Sequence, residues 1–118
     1  MPSQRSATGA LGENAVAAWY EERGYEILAR NWRVRDGEID IVARLERTVV
    51  ICEVKTRNST AFGQPFEAVT KTKQLRLRKL AGLFLSEHPE ARGTIRFDVA
   101  SVLPGPHAPK IDVIENAF

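Results

Sequence analysis

Asp40, Glu53 and Lys55 fall in two neighbouring apolar runs of the chain, and these residue types suit metal-assisted chemistry on a phosphate ester. Side chains alternate across a strand, so Glu53 and Lys55 share one face while Cys52 and Val54 take the other. In the preceding run Glu38 and Asp40 share a face opposite Ile39 and Ile41. If the intervening turn uses Glu46 and Arg47, Leu45 pairs with Thr48. Counting back then sets Asp40 across from Glu53, with Cβ atoms ~5 Å apart. Two partly desolvated carboxylates at that spacing repel each other. Lys55 supplies part of the compensating charge. A hard divalent cation, Mg²⁺ or Mn²⁺, fits better, because such ions are held by one or two carboxylates, waters and phosphate oxygens. The ion can polarise a phosphoryl group and activate a water. A lysine beside it can position that water or stabilise charge on phosphorus. The same residues also suit a cross-strand salt bridge, which spacing alone favours. A one-residue slip in register would send the two carboxylates to opposite faces. Glu38 reads as a solvent-facing strand residue or as an extra ligand, the former being favoured.

The elements that must position these residues can be read from periodicity. Met1 to Thr8 is a polar tail. A helix is expected from about Gly9 to Arg23, where Leu11, Ala15, Ala18 and Trp19 follow helical spacing and Gly24 is a stop. Glu13 shares a face with Val16, Ala17 and Tyr20, and that face can turn inward. Tyr25 to Arg33 reads as a strand, and Asp36-Gly37 as a turn. Glu38 to Arg44 and Thr48 to Thr56 are the clearest strands. So short a link between them forces an antiparallel hairpin. Asn58 to Pro65 reads as a loop. Thr70 is an N-cap candidate for a helix to about Glu87, with Leu77, Leu80, Ala81 and Phe84 as its apolar stripe and Pro89 beyond its end. Thr94 to Leu103 is a further strand, Pro104 to Pro109 a loop, and Lys110 to Ile114 a short last strand. Helices covering a mixed sheet give an α/β layered domain.

The 118 residues fit a single domain, 1–118, with a core large enough to fold without staples. One cysteine, Cys52, excludes an intramolecular disulfide and sits in an apolar run, as a small buried hydrophobe would. No partner histidine accompanies it, which argues against thiol catalysis. The polar N-terminus shows no secretory signal. No apolar stretch approaches the ~20 residues that cross a bilayer. The expectation is a cytoplasmic protein without a membrane partner.

A net charge of +2 does not by itself indicate nucleic acid, but five of the nine residues from Lys71 to Lys79 are basic. Lys71, Lys73, Arg76, Arg78 and Lys79, with Arg57 after the Glu53 strand, could contact phosphates and make binding salt-dependent. A solvated helix face explains them equally well. Gln74 can hydrogen-bond near the site. Trp19 and Trp32 suit the core or an interface better than base stacking. His88 and His107, each beside a proline, suit neither ligation nor catalysis. Asp98 faces away from Ile95, Phe97 and Val99, as a structural strand residue.

Asp40 followed after a hairpin by Glu53-Val54-Lys55 resembles the PD-(D/E)xK nuclease superfamily. A fuller ordered set spans nearly the whole chain. It comprises Gly12-Glu13, Gly24-Tyr25, Gly37-Glu38-Ile39-Asp40, Glu53-Val54-Lys55-Thr56-Arg57, Glu67-Ala68-Val69, Lys73, Arg96-Phe97-Asp98-Val99 and Glu115-Asn116-Ala117-Phe118. This set resembles the UPF0102 family (YraN-like proteins), distant relatives of archaeal Holliday junction resolvases. The resemblance implies a restriction-endonuclease-like α/β/α fold with a central mixed sheet. It implies Asp40 and Glu53 as metal ligands, Glu13 as a further acidic residue, and Lys55 as the catalytic lysine. Ile39 stands where the short motif has proline, a departure common in the superfamily. The expected function is a metal-dependent endonuclease-like protein acting on DNA, branched or structured. By analogy with resolvases a homodimer is suggested. A nucleic-acid-binding protein without catalysis, or an interaction module with a vestigial site, is the alternative.

Overall fold

The computed structural model describes residues 7–57 and 69–118. The loop expected at Asn58 to Pro65 and the Glu67-Ala68 part of the family pattern lie outside them. So does the expected tail, apart from Ala7 and Thr8, which already belong to the first helix.

The elements run α1 (Ala7–Glu22), β1 (Glu26–Val34), β2 (Gly37–Leu45), β3 (Thr48–Thr56), α2 (Lys71–Glu87), β4 (Thr94–Leu103) and β5 (Lys110–Ile114). The five strands form one sheet in the order β1-β2-β3-β4-β5. Only β3 and β4 are parallel; the other neighbours are antiparallel. The parallel pair needs a long crossover, and α2 provides it.

Val49 to Cys52 are buried without alternation, which marks β3 as a central strand covered on both faces. On one face Val49, Ile51, Phe97 and Val99 meet Leu77, Leu80, Ala81 and Phe84 of α2. On the other, Val50, Cys52, Ala100 and Val102 meet Val16, Ala17 and Tyr20 of α1. One helix on each face of a mixed sheet is consistent with the restriction-endonuclease-like fold. Burying a side chain such as Phe84, which is 0% exposed, contributes roughly 2–3 kcal/mol and holds α2 to the sheet. Thr70 caps α2 by accepting the Lys73 N–H, so the helix begins at a fixed point. No helix among the described residues is long and apolar enough to cross a membrane.

Two details need correction. The inward stripe of α1 is Glu13, Val16, Ala17 and Tyr20, the face expected to be able to turn inward, but Leu11 and Ala18, which also follow helical spacing, are exposed, Leu11 at 68%. Gly12 selects this face: a Cβ there would overlap the Thr56 hydroxyl, so only glycine lets the helix lie so close to the end of β3. Leu11 instead lines a surface hollow with Pro104, His107 and Pro109.

The second correction concerns alternation in β2. Ile41 packs on the α1 side but Ile39 packs on the α2 side, so the two do not share a face. Their partners in β1 do the same, because Trp32 pairs with Ile39 under α2 while Arg30 pairs with Ile41 and reaches α1. Between them Asn31 sits at φ 52, a left-handed residue that breaks the pleat. The tip of the β1–β2 hairpin thereby turns toward α2.

Candidate functional site

That turn opens the sheet where the acidic residues lie. The hairpin register is the expected one, with Leu45 opposite Thr48, and the β2–β3 ladder runs as far as Ile41 opposite Cys52. One residue further on the strands fork. Asp40 does not continue the ladder; its Oδ2 accepts the Val54 N–H at 2.8 Å. The side chain thus substitutes for a backbone acceptor and holds Asp40 across the fork from Glu53.

A cleft of about 270 Å³ lies here, lined by Gly37, Glu38, Asp40, Glu53 and, from α2, Lys73, Arg76, Leu77 and Leu80. Gly37, at φ 147, keeps the strand start close under Leu80, because a Cβ there would stand 3.3 Å from Leu80 Cδ1. Glu53 is 7% exposed. Its Oε2 meets Lys73 Nζ at 2.5 Å and Lys55 Nζ at 3.3 Å. Glu13 is 3% exposed on the buried stripe of α1, and Arg30 Nη2 lies 3.8 Å from its Oε1. Arg30 also donates to Asn14 Oδ1 at 2.6 Å. Glu38 accepts from Arg33 Nε at 3.0 Å and lines the same cleft.

The electrostatics follow from burial in an acidic neighbourhood. Burial, then the Glu53 charge, raises the Asp40 carboxyl from 3.8 to about 7, with Glu13 and Glu38 adding to the effect and the Val54 N–H opposing it. Burial, with the neighbouring Lys73, lowers the Lys55 ammonium despite Glu53. Burial also pulls down on Lys73, but its bond to Glu53 and the surrounding charge outweigh this and raise it.

The Asp40 shift has a consequence for folding in chelator. Between about pH 4 and pH 7 the folded protein keeps a proton that the unfolded chain has released. Its contribution to stability is therefore full below about pH 4 and is lost as pH rises through about 7. The thermal midpoint of Asp40→Asn, measured across that window, should lack this downward component. Parallel pH profiles of the two proteins would contradict the shift.

The expected basic residues divide among several tasks. Lys73 and Arg76 line the cleft. Gln74 Nε2 donates to Val69 O at 3.2 Å and ties the helix start to its approach. Arg78 stacks over Phe97 and Phe118, Lys79 pairs with Asp36 at 3.4 Å, and Lys71 is exposed. Arg57 follows β3, its N–H donating to Val102 O at 2.9 Å. Among the described residues no three His, Cys, Asp or Glu side chains converge as a closed metal cage. Asp40 and Glu53 face the cleft together, whereas Glu13 does not line it and reaches the site only through its charge, which adds to the Asp40 shift. The ion pair from Lys73 to Glu53, and the hold of Arg30 on Glu13, went unread in the sequence. The signals for the former were Lys73's place three residues after the Thr70 cap and its membership of the ordered set.

Comparison with known proteins adds the following. The model of the uncharacterised protein family UPF0102 matches residues 12–102. A UPF0102 protein of Beutenbergia cavernae is 50% identical over 99 residues, 84% of each chain. One from Nocardia farcinica is 49% identical over 115 residues, 97% of this chain and 91% of the relative. One from Acidothermus cellulolyticus is 46% identical over 127 residues, 98% of this chain and 96% of the relative.

Proposed function

Since the chain belongs to UPF0102, an uncharacterised protein family, we propose its function from the site itself: a divalent-metal-dependent endonuclease-like protein that binds structured or branched DNA and hydrolyses its phosphodiester bonds. The observation that carries this reading is the fork, where the half-buried Asp40 and the buried Glu53 face one cleft with Lys73, and Lys55 meets the same Glu53 oxygen. Asp40, its carboxyl raised to about 7 beside Glu53, completes with it a hard oxygen donor pair, which suits Mg²⁺ or Mn²⁺. Asp40 and Glu53 would hold the ion, with Glu13 as a further carboxylate behind them. When bound, such an ion polarises the phosphoryl group and lowers the pKa of a water.

The chain's own residues do the rest. Val54 N–H fixes the Asp40 carboxylate, so its orientation does not depend on a ligand. Lys55, less basic than an ordinary lysine, is suited to orient the attacking water and to stabilise charge on the transferring phosphorus. Arg76 and Lys73, which line the cleft, would bind the nucleic-acid backbone and set its position, with Arg57, Lys71 and Gln74 proposed as further contacts. DNA is the proposed partner, and a homodimer acting on symmetric branched DNA remains part of the proposal by analogy with resolvases.

The test is a cleavage screen over single-stranded, duplex, flap and four-way DNA with Mg²⁺ and Mn²⁺. The expected result is cleavage of at least one branched substrate that chelator abolishes. Salt-sensitive binding without cleavage of any substrate would reassign the protein as a nucleic-acid-binding module. Absence of both would leave an interaction module with a vestigial site.

A further inference from the structure

Lys73 makes the shortest contact in the cleft, and it makes it to a proposed metal ligand. Its ammonium lies 2.5 Å from Glu53 Oε2, the oxygen that Lys55 also approaches at 3.3 Å. The two lysines reach it differently. Lys55 stands on the same strand as Glu53, two residues on. Lys73 comes from α2, and its backbone is fixed in the first turn because its own N–H donates to the capping Thr70. The next residue, Gln74, ties that turn to Val69. The side chain is therefore directed at Glu53 by a rigid start.

One carboxylate oxygen with two ammonium groups already has its charge compensated. A divalent cation coordinated by the same carboxylate would place three cationic centres around it, and in a partly desolvated cleft that repulsion is strong. Of the two lysines, Lys73 is the one with somewhere to go. Its side chain is 32% exposed, against 24% for Lys55, and it lines the same cleft as Arg76. Swung off Glu53, it would join Arg76 where a phosphate approaches.

We propose that Lys73 is the resident counter-cation of Glu53, that it and a divalent cation exclude each other there, and that cation loading frees Lys73 for the phosphate backbone. This rests on the metal-dependent reading above. It makes Lys73 a positioning residue that couples metal binding to nucleic-acid binding, and such coupling is reciprocal.

Calorimetric titration of Mn²⁺ into the full chain, without nucleic acid, tests it. Lys73→Met should bind Mn²⁺ ~10-fold more tightly than the unaltered protein, because the competing charge is gone. Lys73→Arg, which keeps the charge and controls for folding, should stay close to the unaltered affinity. Unchanged or weaker binding by Lys73→Met would overturn the exclusion while leaving the metal site intact. Absence of Mn²⁺ binding in the unaltered protein and both variants would overturn the metal-dependent reading itself, and this inference with it.

Discussion

Asp40→Asn is expected to lower the proposed cation-dependent cleavage by ~10³-fold or more, the equivalent of losing several kcal/mol of charge stabilisation at the phosphoryl group. The substitution keeps the shape of the side chain. It also keeps an oxygen able to accept the Val54 N–H, the bond that now holds Asp40 at 2.8 Å. What it removes is the charge, and that charge is costly to the fold, since burial and Glu53 raise the carboxyl to about 7. The thermal midpoint above pH 7 should therefore be unchanged or higher. Loss of activity joined to retained stability separates a catalytic carboxylate from a structural one. Lys55→Met is the companion: it should cost a similar factor in rate while leaving Mn²⁺ binding measurable. Cleavage by folded Asp40→Asn within ~10-fold of the unaltered protein would remove Asp40 from the mechanism.

How far these residues could be read in advance depended on the kind of information each required. Strand β3 (Thr48–Thr56), helix α2 after the Thr70 cap, and strands β4 and β5 agree with the expected bounds. Local rules suffice there: an unbroken apolar run, a capping hydroxyl, a stripe at helical spacing. The register of the β2–β3 hairpin was legible for the same reason, because two residues between the strands leave little choice. The inward face of α1 was legible in part: Glu13, Val16, Ala17 and Tyr20 are the face that could turn inward and are buried, but Leu11 and Ala18, which also follow helical spacing, are exposed. The fork was not legible. It arises where Asn31 leaves the pleat and takes Ile39 to the face of α2, and no periodicity within β2 announces it.

The fork also explains why the acidic pair is tolerated. A continuous ladder would set Asp40 and Glu53 side by side on one strand face. By ending the ladder after Ile41 and Cys52, the chain lets Asp40 satisfy a backbone N–H of β3 and turns Glu53 toward cations from β3 and α2. The cost is a gap in the sheet, and the rest of the core must hold β3 and β4 firmly beside it. Asp98 is central to that role.

Asp98 is 1% exposed and pairs in β4 with Cys52 of β3, the residue next to Glu53. Its carboxylate accepts from Tyr20 at 2.7 Å, from Arg96 Nε and Nη2 at 2.9 Å each, and from the Asn116 N–H at 3.0 Å. Arg96 in turn donates to the Tyr25 hydroxyl. One carboxylate thus joins α1, the start of β1, β4 and the C-terminal turn. Burial, then Cys52 and Asp98, pushes the Tyr20 phenol far above its ordinary value, so it stays a neutral donor. Asp98→Ala leaves the Tyr20 hydroxyl without its acceptor and the Arg96 guanidinium with only the more exposed Glu115, at 3.6 Å, as a carboxylate partner. Breaking a buried pair in this way costs about 3–5 kcal/mol. For a chain of this size that corresponds to a fall in thermal midpoint of roughly 10–25 °C. Removing both charges with Arg96→Met and Asp98→Leu together should recover part of the loss, because no half-buried guanidinium is then left beside an emptied acceptor. Since none of these groups lines the Asp40 cleft, Mn²⁺ affinity measured well below the lowered midpoint should not change. A midpoint for Asp98→Ala within about 3 °C of the unaltered protein, less than one kcal/mol by the same scaling, would show that the network is not what holds α1 and the C-terminus to the sheet.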